Sequence, residues 1–577
     1  MVSGTATTLC GLRAALLAAI VVLLCGVLPP AVAQPQPNAT QAENAKAGTT
    51  AWQRTQFSGV ELYADQIGAL PGDAVGVHVR SEYRYRLMVY RLGWYGGTGA
   101  RLMACVPSCS GDEPAVAQHN DAAMGGSPQR ADWSRTDVVQ TGIDWPSGYY
   151  VIEAELTSGS VAGRIGTTYL ILRQPADQQP SQVLVQVPVN TWEAYNAWGG
   201  HSLYNFSPLG ASIRVSFDRP FDHQANNPLW WEIQTVRFLE REGYDVSYQT
   251  DVDTDAEPGS LLRHRLVIVN GHDEYWTSKM RDAFDAAVAG GTNLAFMSSN
   301  DAYWNIRYED DGHTILTYKS LYDPNPDPTQ KTAMFREIGR PECLLEGLEH
   351  FGIIKPTTRA LDYTVTPTGA ADPWLAGTGL HAGDTIAGVV GREHDTVSDY
   401  PGCQHPGEVT LFHYDGSQDG VPGDAIRYTA PSGARVFASG AQEFSWALDG
   451  YRADDTTAPA APVGADRTGP VDPRVQQFMR NALDDLTRPQ PPLRVLRVKR
   501  PDGWHVRTGW PSDPRIVGRI VIRLRDDGQQ TLVCSGHARC VPPRVLQPGT
   551  YRYMVEYVDA WGQASTPVYT SSWTRSP

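Results

Sequence analysis

The chain has 577 residues, with 48 Lys and Arg against 63 Asp and Glu, which gives a formal net charge of −15. An acidic protein of this kind is repelled by the phosphates of nucleic acids and by anionic membranes, so neither is expected as a partner. A chain of this length typically folds into roughly three to four domains.

The first 33 residues have the pattern of an export signal. Arg13 is the only charged residue among them, an apolar run covers residues 14–24, and small residues suited to signal peptidase stand at 31–33. The run is too short for a membrane span, and a lipid anchor on Cys25 is disfavoured because a leucine precedes it. We therefore predict a signal peptide at 1–33 and a secreted, extracellular protein that has no membrane contact after cleavage.

The six cysteines that remain after the signal peptide indicate disulfides. Free thiols are uncommon in an oxidising compartment, and the two close spacings lack the nearby histidines of zinc sites. Two pairs are separated by only a few residues, which leaves the other two cysteines for a longer bridge. The predicted pairs are Cys105–Cys109, Cys534–Cys540 and Cys343–Cys403.

The N-terminal part of the mature chain has two regions that differ in composition and hydrophobic pattern. Residues 34–55 are polar and rich in Pro, Gln and Ala, which predicts a flexible leader. Residues 56–178 contain short alternating apolar runs punctuated by Gly, Pro and Asp, which predict an N-terminal β-sandwich. Trp94 and Tyr95 are expected to fill its core, with an exposed sugar-binding patch as the alternative.

A central domain is predicted at 179–488. Continuous apolar strands begin at 183, 266 and 293, and helical stretches separate them. Strand, helix and strand in alternation predict right-handed β-α-β units in a doubly wound, flavodoxin-like α/β sheet. A poorly patterned insertion covers about 305–360, a late strand lies at 435–440, and a helix at 472–486 closes the domain.

The last part of the chain starts at a stiff linker. Pro489-Gln490-Pro491-Pro492 is followed by alternating apolar residues and by the Cys534/Cys540 loop. This pattern predicts a fibronectin-like C-terminal β-sandwich at 489–577.

Functional groups concentrate after three strands of the predicted central sheet. In open α/β sheets, ligands bind beyond the carboxyl ends of the strands, and here 190–205, 271–276 and 298–304 follow such ends. The 271–276 turn, Gly-His-Asp-Glu-Tyr-Trp, occupies the elbow where related folds carry a Cys or Ser nucleophile. Because neither residue is present, acyl-enzyme chemistry is disfavoured, and metal ligation or acid/base work by a carboxylate and a His is favoured.

The segment 182–310 resembles the catalytic domain of the large (beta) subunit of N,N-dimethylformamidase, an amidohydrolase with a class I glutamine-amidotransferase-like domain. The matching motifs are Thr191-Trp192-Glu193-Ala194-Tyr195-Asn196, Ser202-Leu203-Tyr204-Asn205, Gly271-His272-Asp273-Glu274-Tyr275 and Asn300-Asp301-Ala302-Tyr303-Trp304. The resemblance implies a mononuclear iron held by Tyr195, Tyr204 and Glu274. It also implies that His272 lies beside the metal and Asn300 near the substrate.

Such a ligand set has a coherent chemistry. A free tyrosine has a pKa near ~10, so phenolate ligation at neutral pH requires a strongly acidic cation. Two phenolates and a carboxylate are hard anionic oxygens, which suit Fe3+ better than zinc. His272 could relay a proton to the leaving amine or orient Glu274. Only eight residues separate the two tyrosines, fewer than in the family's enzyme, so the pocket walls and the substrate are expected to differ.

Ordinary structural roles are the alternative for each site residue. Tyr195 and Tyr204 could pack at the rim, Glu274 could be a surface carboxylate opening a helix, and Asn300 could cap a turn. Three further residues, Gln442, Glu443 and Trp446, are weaker candidates for the same crevice.

Three functions are compatible with these patterns. The favoured one is a secreted, metal-dependent hydrolase of amide-type C–N bonds with a small amide as substrate. The second is a non-catalytic surface or carbohydrate-binding protein. The third is a glycan-processing enzyme that uses Glu274 with Asp273 or Asp301 on a sugar-like substrate, because paired carboxylates suit that chemistry.

Overall fold

The computed structural model describes residues 37–119, 129–221, 230–353, 361–451, 471–492, 494–500, 503–509, 513, 515–536, 540, 542 and 547–576. The predicted signal peptide at 1–33 and the first three residues of the predicted leader lie outside the described residues. Within the described ranges, no helix is long and apolar enough to cross a membrane.

The N-terminal part forms one helix and two β-sheets. The elements are α1 (Ala39–Asn44), β1 (Val60–Ala64), β2 (Gly68–Ala69), β3 (Ala74–Ser81), β4 (Tyr85–Leu92), β5 (Ala100–Val106), β6 (Asp137–Gln140), β7 (Gly148–Leu156) and β8 (Ile165–Leu172). The sheets have the orders β1-β3-β6 and β2-β8-β7-β4-β5. Alternate side chains of both sheets, among them Val77, Val89 and Ile152, form a common core. Tyr95 is buried. Trp94 packs against the guanidinium groups of Arg237 and Arg241, which belong to the central part of the chain.

The leader predicted at 34–55 contains α1. Asn38 caps this helix, and Thr40 and Glu43 on it are buried. Glu43 accepts hydrogen bonds from Tyr95 (2.9 Å) and Arg101 (2.5 Å), which fixes the helix against the five-stranded sheet.

The central part contains most of the helices. Its elements are β9 (Val183–Val187), α2 (Val189–Tyr195), β10 (Arg214–Ser216), α3 (Ile233–Glu242), β11 (Val246–Thr250), α4 (Asp251–Ala256), β12 (Leu266–Val269), β13 (Tyr275–Thr277), α5 (Ser278–Ala289), β14 (Asn293–Phe296), β15 (Trp304–Glu309), β16 (Thr314–Leu316), α6 (Cys343–Glu346), β17 (Leu348–Ile353), β18 (Leu361–Val365), α7 (Pro367–Ala370), β19 (Thr385–Val390), β20 (Glu393–Val397), β21 (Val409–Tyr414), β22 (Gly423–Thr429), β23 (Arg435–Ala438) and α8 (Pro473–Thr487). Short 3-10 helices include Trp198–Gly200, Pro258–Arg263 and Phe444–Ala447.

A nine-stranded mixed sheet organises this part of the chain, in the order β11-β9-β12-β14-β23-β22-β21-β18-β19. The first five strands run parallel, with Val185 of β9 opposite both Tyr248 and Ile268. The remaining strands are antiparallel to their neighbours. Two smaller sheets, β10-β16-β15-β13 and β17-β20, stand beside it.

The predicted fold class, a doubly wound, flavodoxin-like core of the class I glutamine-amidotransferase type, is wrong. The chain is mostly β and is divided among many sheets. A doubly wound core needs a parallel sheet covered by helices on both faces. Here antiparallel strands continue the sheet, and side chains of β7 and β8 share the core on one of its faces with α3 and α8. Hydrophobic periodicity missed the added strands because burial alternates along β18 and β19 and breaks the apolar runs.

The C-terminal part is again β. Its strands are β24 (Val495–Arg500), β25 (Gly503–Thr508), β26 (Ile516–Arg525), β27 (Gln530–Ser535), β28 (Gly549–Asp559), β29 (Val568–Tyr569) and β30 (Trp573–Arg575). β24 and β25 form a hairpin, and the other five form one sheet. Val495 and Val506 of the hairpin pack with Val521 and Val555 of the sheet.

The disulfide prediction is confirmed. The three bridges are Cys105–Cys109, Cys343–Cys403 and Cys534–Cys540.

A buried ion pair joins the N-terminal sheet to the central part. Arg91 of β4 donates to both carboxylate oxygens of Glu240 on α3, at 2.7 and 3.1 Å, and both side chains are almost fully buried. The hydroxyl of Tyr248 also donates to Glu240, at 2.9 Å. Burying two charges is costly unless every polar atom finds a partner, so this network fixes how β4 meets α3.

We expect Arg91→Met and Glu240→Gln each to lower the free energy of unfolding by about 3–5 kcal/mol, because each leaves a buried charge without its partner. Urea unfolding measures the change. The double variant Arg91→Met/Glu240→Gln should lose less than the sum of the two single losses. As a control, Arg84→Met, at an exposed ion pair with Asp112, should leave the unfolding midpoint unchanged. Single variants as stable as the wild type would contradict a stabilising role for the buried Arg91–Glu240 ion pair.

Candidate functional site

Two tyrosines and one glutamate meet beyond the carboxyl end of β12. The hydroxyl of Tyr195 donates to Oε2 of Glu274 at 2.9 Å. The hydroxyl of Tyr204 lies 2.9 Å from Oε1 and 2.8 Å from Oε2 of the same carboxylate. Glu274 is buried, and both tyrosine rings are partly buried with their hydroxyls turned inward. The structure therefore brings the three predicted ligands together.

The local sequence explains why Glu274 points to this place. Gly271 has φ +75°, and a Cβ there would lie 2.3 Å from Cγ of Glu232, so the turn after β12 requires glycine. The backbone N–H of Glu274 donates to Oγ1 of Thr191 at 2.9 Å. Its carbonyl accepts from the N–H of Trp304, also at 2.9 Å. These two backbone hydrogen bonds fix the position of Glu274 independently of the contacts of its side chain.

The loop between the two tyrosines is held by one buried arginine. Arg219 pairs with Glu193 of α2 at 2.5 Å and donates to the carbonyls of Trp198 and His201 at 3.0 Å. Tyr204 is further oriented by the hydroxyl of Tyr275, which lies 2.6 Å from its own. The short interval between the tyrosines therefore forms a fixed loop.

Phe206 marks the side of the site that faces solvent. It is 68% exposed, and its ring stacks on Tyr204 with the centroids 4.8 Å apart. The tyrosine pair is consequently reached past an exposed aromatic ring.

His272 lies against two carboxylates. Its Nδ1 is 3.1 Å from the carbonyl oxygen of Ser299 and must donate to it, because a carbonyl only accepts. Its Nε2 lies 3.2 Å from Oε2 of both Glu274 and Glu393. Burial lowers the pKa of His272, but the two carboxylates outweigh that effect and raise it to about 10. Burial likewise raises the pKa of Glu274, whereas the charge of His272 outweighs it and lowers the value to about 2.

Asn300 contacts the same oxygen of Glu393 as His272 does. Its Nδ2 donates to Oε2 of Glu393 at 3.0 Å, and its backbone N–H donates to Asp395. The residue has φ +56°, a conformation that Asn tolerates better than most residues. Its buried Oδ1 has no hydrogen-bond partner among the described residues. Oδ1 of Asn300 is therefore an unused acceptor next to Glu393.

Two site residues were missed in the sequence. Glu393 starts β20, far from the matching motifs; the only signal was the charged run Arg392-Glu393-His394-Asp395. Lys319 lies in the unpatterned insertion, and its ammonium is 3.5 Å from the centre of the Tyr204 ring. Burial lowers the pKa of Lys319 to about 8, although the charges of Glu274 and Glu393 raise it. Both residues reach the site only through long-range folding.

Of the three weaker candidates, Gln442 and Glu443 lie near Glu393 and Trp446 does not. The backbone N–H of Gln442 donates to the carbonyl of Glu393 at 3.1 Å, and Glu443 packs against Gly391. Trp446 points elsewhere, since its indole donates to the carbonyl of Trp230 at 2.7 Å. Gln442 and Glu443 can therefore position Glu393.

The carboxylates of Asp273 and Asp301 are inaccessible. Both side chains are fully buried, and Asp301 accepts the backbone N–H of Asp273 at 2.8 Å. Burial raises the pKa of Asp273 to about 7 and that of Asp301 well above its ordinary value. Asp301 is thus used to hold the turn that contains Asp273, and the glycan-processing alternative stays a prediction.

The donor set fits a hard cation. Burial raises the pKa of Tyr195 and Tyr204 well above 10, so both are neutral phenols that donate to Glu274 when no metal is bound. No group of three His, Cys, Asp or Glu side chains among the described residues is arranged to hold a metal. A metal at this place would therefore need the tyrosines, and two phenolates with one carboxylate suit a trivalent ion such as Fe3+.

Comparison with known families supports the assignment of this region. The family described as N,N-dimethylformamidase beta subunit-like, C-terminal, matches residues 86–457. This match covers more than half of the chain and includes Tyr195, Tyr204, Glu274, Glu393 and Lys319. No curated protein matches the chain.

In the metal-free protein, Glu393→Gln should lower the pKa of His272 from about 10 toward its ordinary value of 6.5, because the charge of Glu393 is the main effect that raises it. A histidine with a raised pKa stabilises the fold fully below pH 6.5, and that contribution is lost as the pH rises through about 10. NMR titration of the imidazole, assigned with His272→Gln, measures the shift. Glu309→Gln, at a distant surface pair, is the matched control. An unchanged pKa of His272 in Glu393→Gln would contradict the contact between Glu393 and His272.

Proposed function

The chain belongs to the N,N-dimethylformamidase beta subunit-like family, and on this premise we propose that it is a metal-dependent hydrolase of amide-type C–N bonds. The observation that carries the proposal is the meeting of Tyr195, Tyr204 and Glu274, whose oxygens lie 2.8–2.9 Å apart. These three residues would hold the metal, for which iron is the best match to the donor set. When bound, such an ion polarises a carbonyl and lowers the pKa of water.

The surrounding residues are suited to moving protons. Glu393 can accept one proton from the attacking water, and the unused Oδ1 of Asn300 can accept a hydrogen bond from the O–H that remains. Nδ1 of His272 donates to the carbonyl of Ser299 and Nε2 faces Glu274 and Glu393, so Nε2 can hold the proton that the leaving amine needs and donate it. One proton leaves the water and one reaches the amine, so hydrolysis needs no further reactant.

Lys319 contributes charge rather than a proton. Its ammonium lies over the ring of Tyr204 and within 5.2 Å of the ring centre of Trp304. A cation in this position favours the anionic forms of Tyr204 and Glu274 that a metal requires.

We place this activity outside the cytosol. The three disulfides support that placement, because such bridges persist in oxidising compartments. The iron would then be acquired after export.

The full chain, offered ferric iron and desalted, should bind one equivalent and show a phenolate-to-iron charge-transfer band in the visible spectrum. Tyr204→Phe should weaken that band and lower iron retention, because one of three ligands is removed. Tyr303→Phe is the matched control, since this tyrosine is close by but contacts neither Glu274 nor Tyr204 with its hydroxyl. Protein that stays colourless and iron-free would refute the metal site and favour a non-catalytic binding protein.

The iron-loaded chain should release dimethylamine from N,N-dimethylformamide or amine from a related small amide. Glu393→Gln should lower kcat by about 10²–10⁴-fold, because it removes the base. The variant should keep its iron and its visible spectrum, which separates loss of the base from loss of the metal. Full activity in Glu393→Gln would contradict the assigned role, and an iron-loaded chain that cleaves no amide would contradict the proposed function.

A further inference from the structure

The C-terminal domain differs in charge from the rest of the protein. Residues 489–577 contain 13 Lys and Arg against 6 Asp and Glu, whereas residues 1–488 contain 35 against 57. A net charge of +7 therefore stands at the end of a chain that is otherwise strongly acidic. Such an asymmetry is typical of a module with an anionic partner of its own.

The contact with the central part does not explain this basic charge. Arg265, which belongs to the central part, pairs with Asp513 and Asp559 of the C-terminal domain. The indole of Trp561 donates to the carbonyl of Pro180 at 2.8 Å. The interface thus uses two of the domain's few carboxylates and leaves most of its cations elsewhere.

The strand register shows where these cations lie. β26 starts at the interface, where Ile516 is opposite Asp559, and ends at Arg525, opposite Tyr551. Arg523 is opposite Tyr553 in the same register, and Arg575 of β30 is opposite Gly549. Arg523, Arg525 and Arg575 therefore lie at the end of the domain that is remote from the central part. Among the described residues, Asp526 and Asp527 at this end pair with Arg525 only.

Arginines and aromatic rings alternate at that remote end. The guanidinium of Arg497 lies 3.7 Å from the ring centres of both Trp504 and Trp573. Trp573 stacks on Tyr551 at 4.9 Å, and Arg523 lies 5.9 Å from the centre of the Tyr551 ring. We call Trp504, Arg497, Trp573, Tyr551 and Arg523 the arginine–aromatic ladder.

The ladder is open to solvent at its Trp504 end. Trp504 is 42% exposed, and Lys499, directly opposite it in the hairpin, is exposed as well. Neither Lys499, Arg497 nor Arg575 forms an ion pair with another described residue. Stacking holds the guanidinium of Arg497 in place while leaving its charge unneutralised.

We propose that the arginine–aromatic ladder and its basic rim, formed by Lys499 and Arg575, bind an acidic polysaccharide. Guanidinium groups pair with sugar carboxylates through two parallel N–H donors. The electron-rich face of an exposed indole packs against the C–H groups of a sugar ring. The disulfides place the chain in an oxidising compartment, where acidic glycans are the polyanions expected, rather than nucleic acids. The domain would hold the enzyme on a carboxylated polymer, independently of the chemistry at Glu274.

Binding of the full chain to immobilised polygalacturonate tests the proposal. We expect saturable binding that weakens linearly on a log–log plot against salt concentration, with none to neutral dextran. Lys499→Glu/Arg575→Glu should weaken binding by about tenfold or more, because two cations of the rim become anions. Arg130→Glu/Lys279→Glu, which changes the net charge equally at surface sites of other domains, is the matched control.

The aromatic part is tested by Trp504→Ala, with Trp504→Phe as the conservative variant. Alanine should weaken polygalacturonate binding and phenylalanine should retain most of it, with unchanged thermal unfolding midpoints in both. The proposal is overturned if the wild-type protein does not bind polygalacturonate. It is overturned as well if the control variant Arg130→Glu/Lys279→Glu loses as much affinity as Lys499→Glu/Arg575→Glu. It is also overturned if single-stranded DNA or phosphatidylglycerol vesicles bind more tightly under the same conditions.

Discussion

The buried carboxylate of Glu274 is the constraint on which the site depends. A carboxylate removed from water must be neutralised or fully hydrogen-bonded, and here two phenol hydroxyls and the His272 imidazole surround it. Tyr195 comes from the end of α2, Tyr204 from the loop after it, and His272 from the same turn as Glu274, so α2 and the turn after β12 have to converge. Glu393 of β20 joins the cluster through His272. Burying this one negative charge therefore requires several segments to meet at the site.

The scaffold achieves this convergence by combining parallel and antiparallel strands. The parallel strands end at one edge and deliver Tyr195 and Glu274 there, as open sheets do. Glu393 and Lys319 come from β20 and from the long segment after β16, which lie outside those strands. Two carboxylates, one imidazolium and one ammonium then balance in charge when no metal is bound. That balance lets the cluster stay buried, and a metal would replace the phenol protons.

Charge is also divided along the chain. The acidic N-terminal and central parts contain the Glu274 cluster, and the basic C-terminal domain exposes the Trp504 end of the arginine–aromatic ladder. The acidic pair Asp513 and Asp559 meets Arg265 at the junction, so attachment of the domain leaves its basic end free for a partner. The prediction that polyanions are not partners rests on the total charge, and the charge of this domain has the opposite sign.

The sequence alone determined the local chemistry: the cysteine pairs, the parallel strands at 183, 266 and 293, and the turn after β12 with His272 and Glu274. Apart from the Cys343–Cys403 bridge, which was inferred because the other four cysteines form close pairs, these features depend on residues close together in the chain, where periodicity and spacing carry the information. Tertiary structure decided the rest. The mixed β-rich architecture, the burial of Asp273 and Asp301, and the arrival of Glu393 and Lys319 depend on contacts across more than 40 residues. Such contacts are selected by packing and charge neutralisation, which no local pattern records.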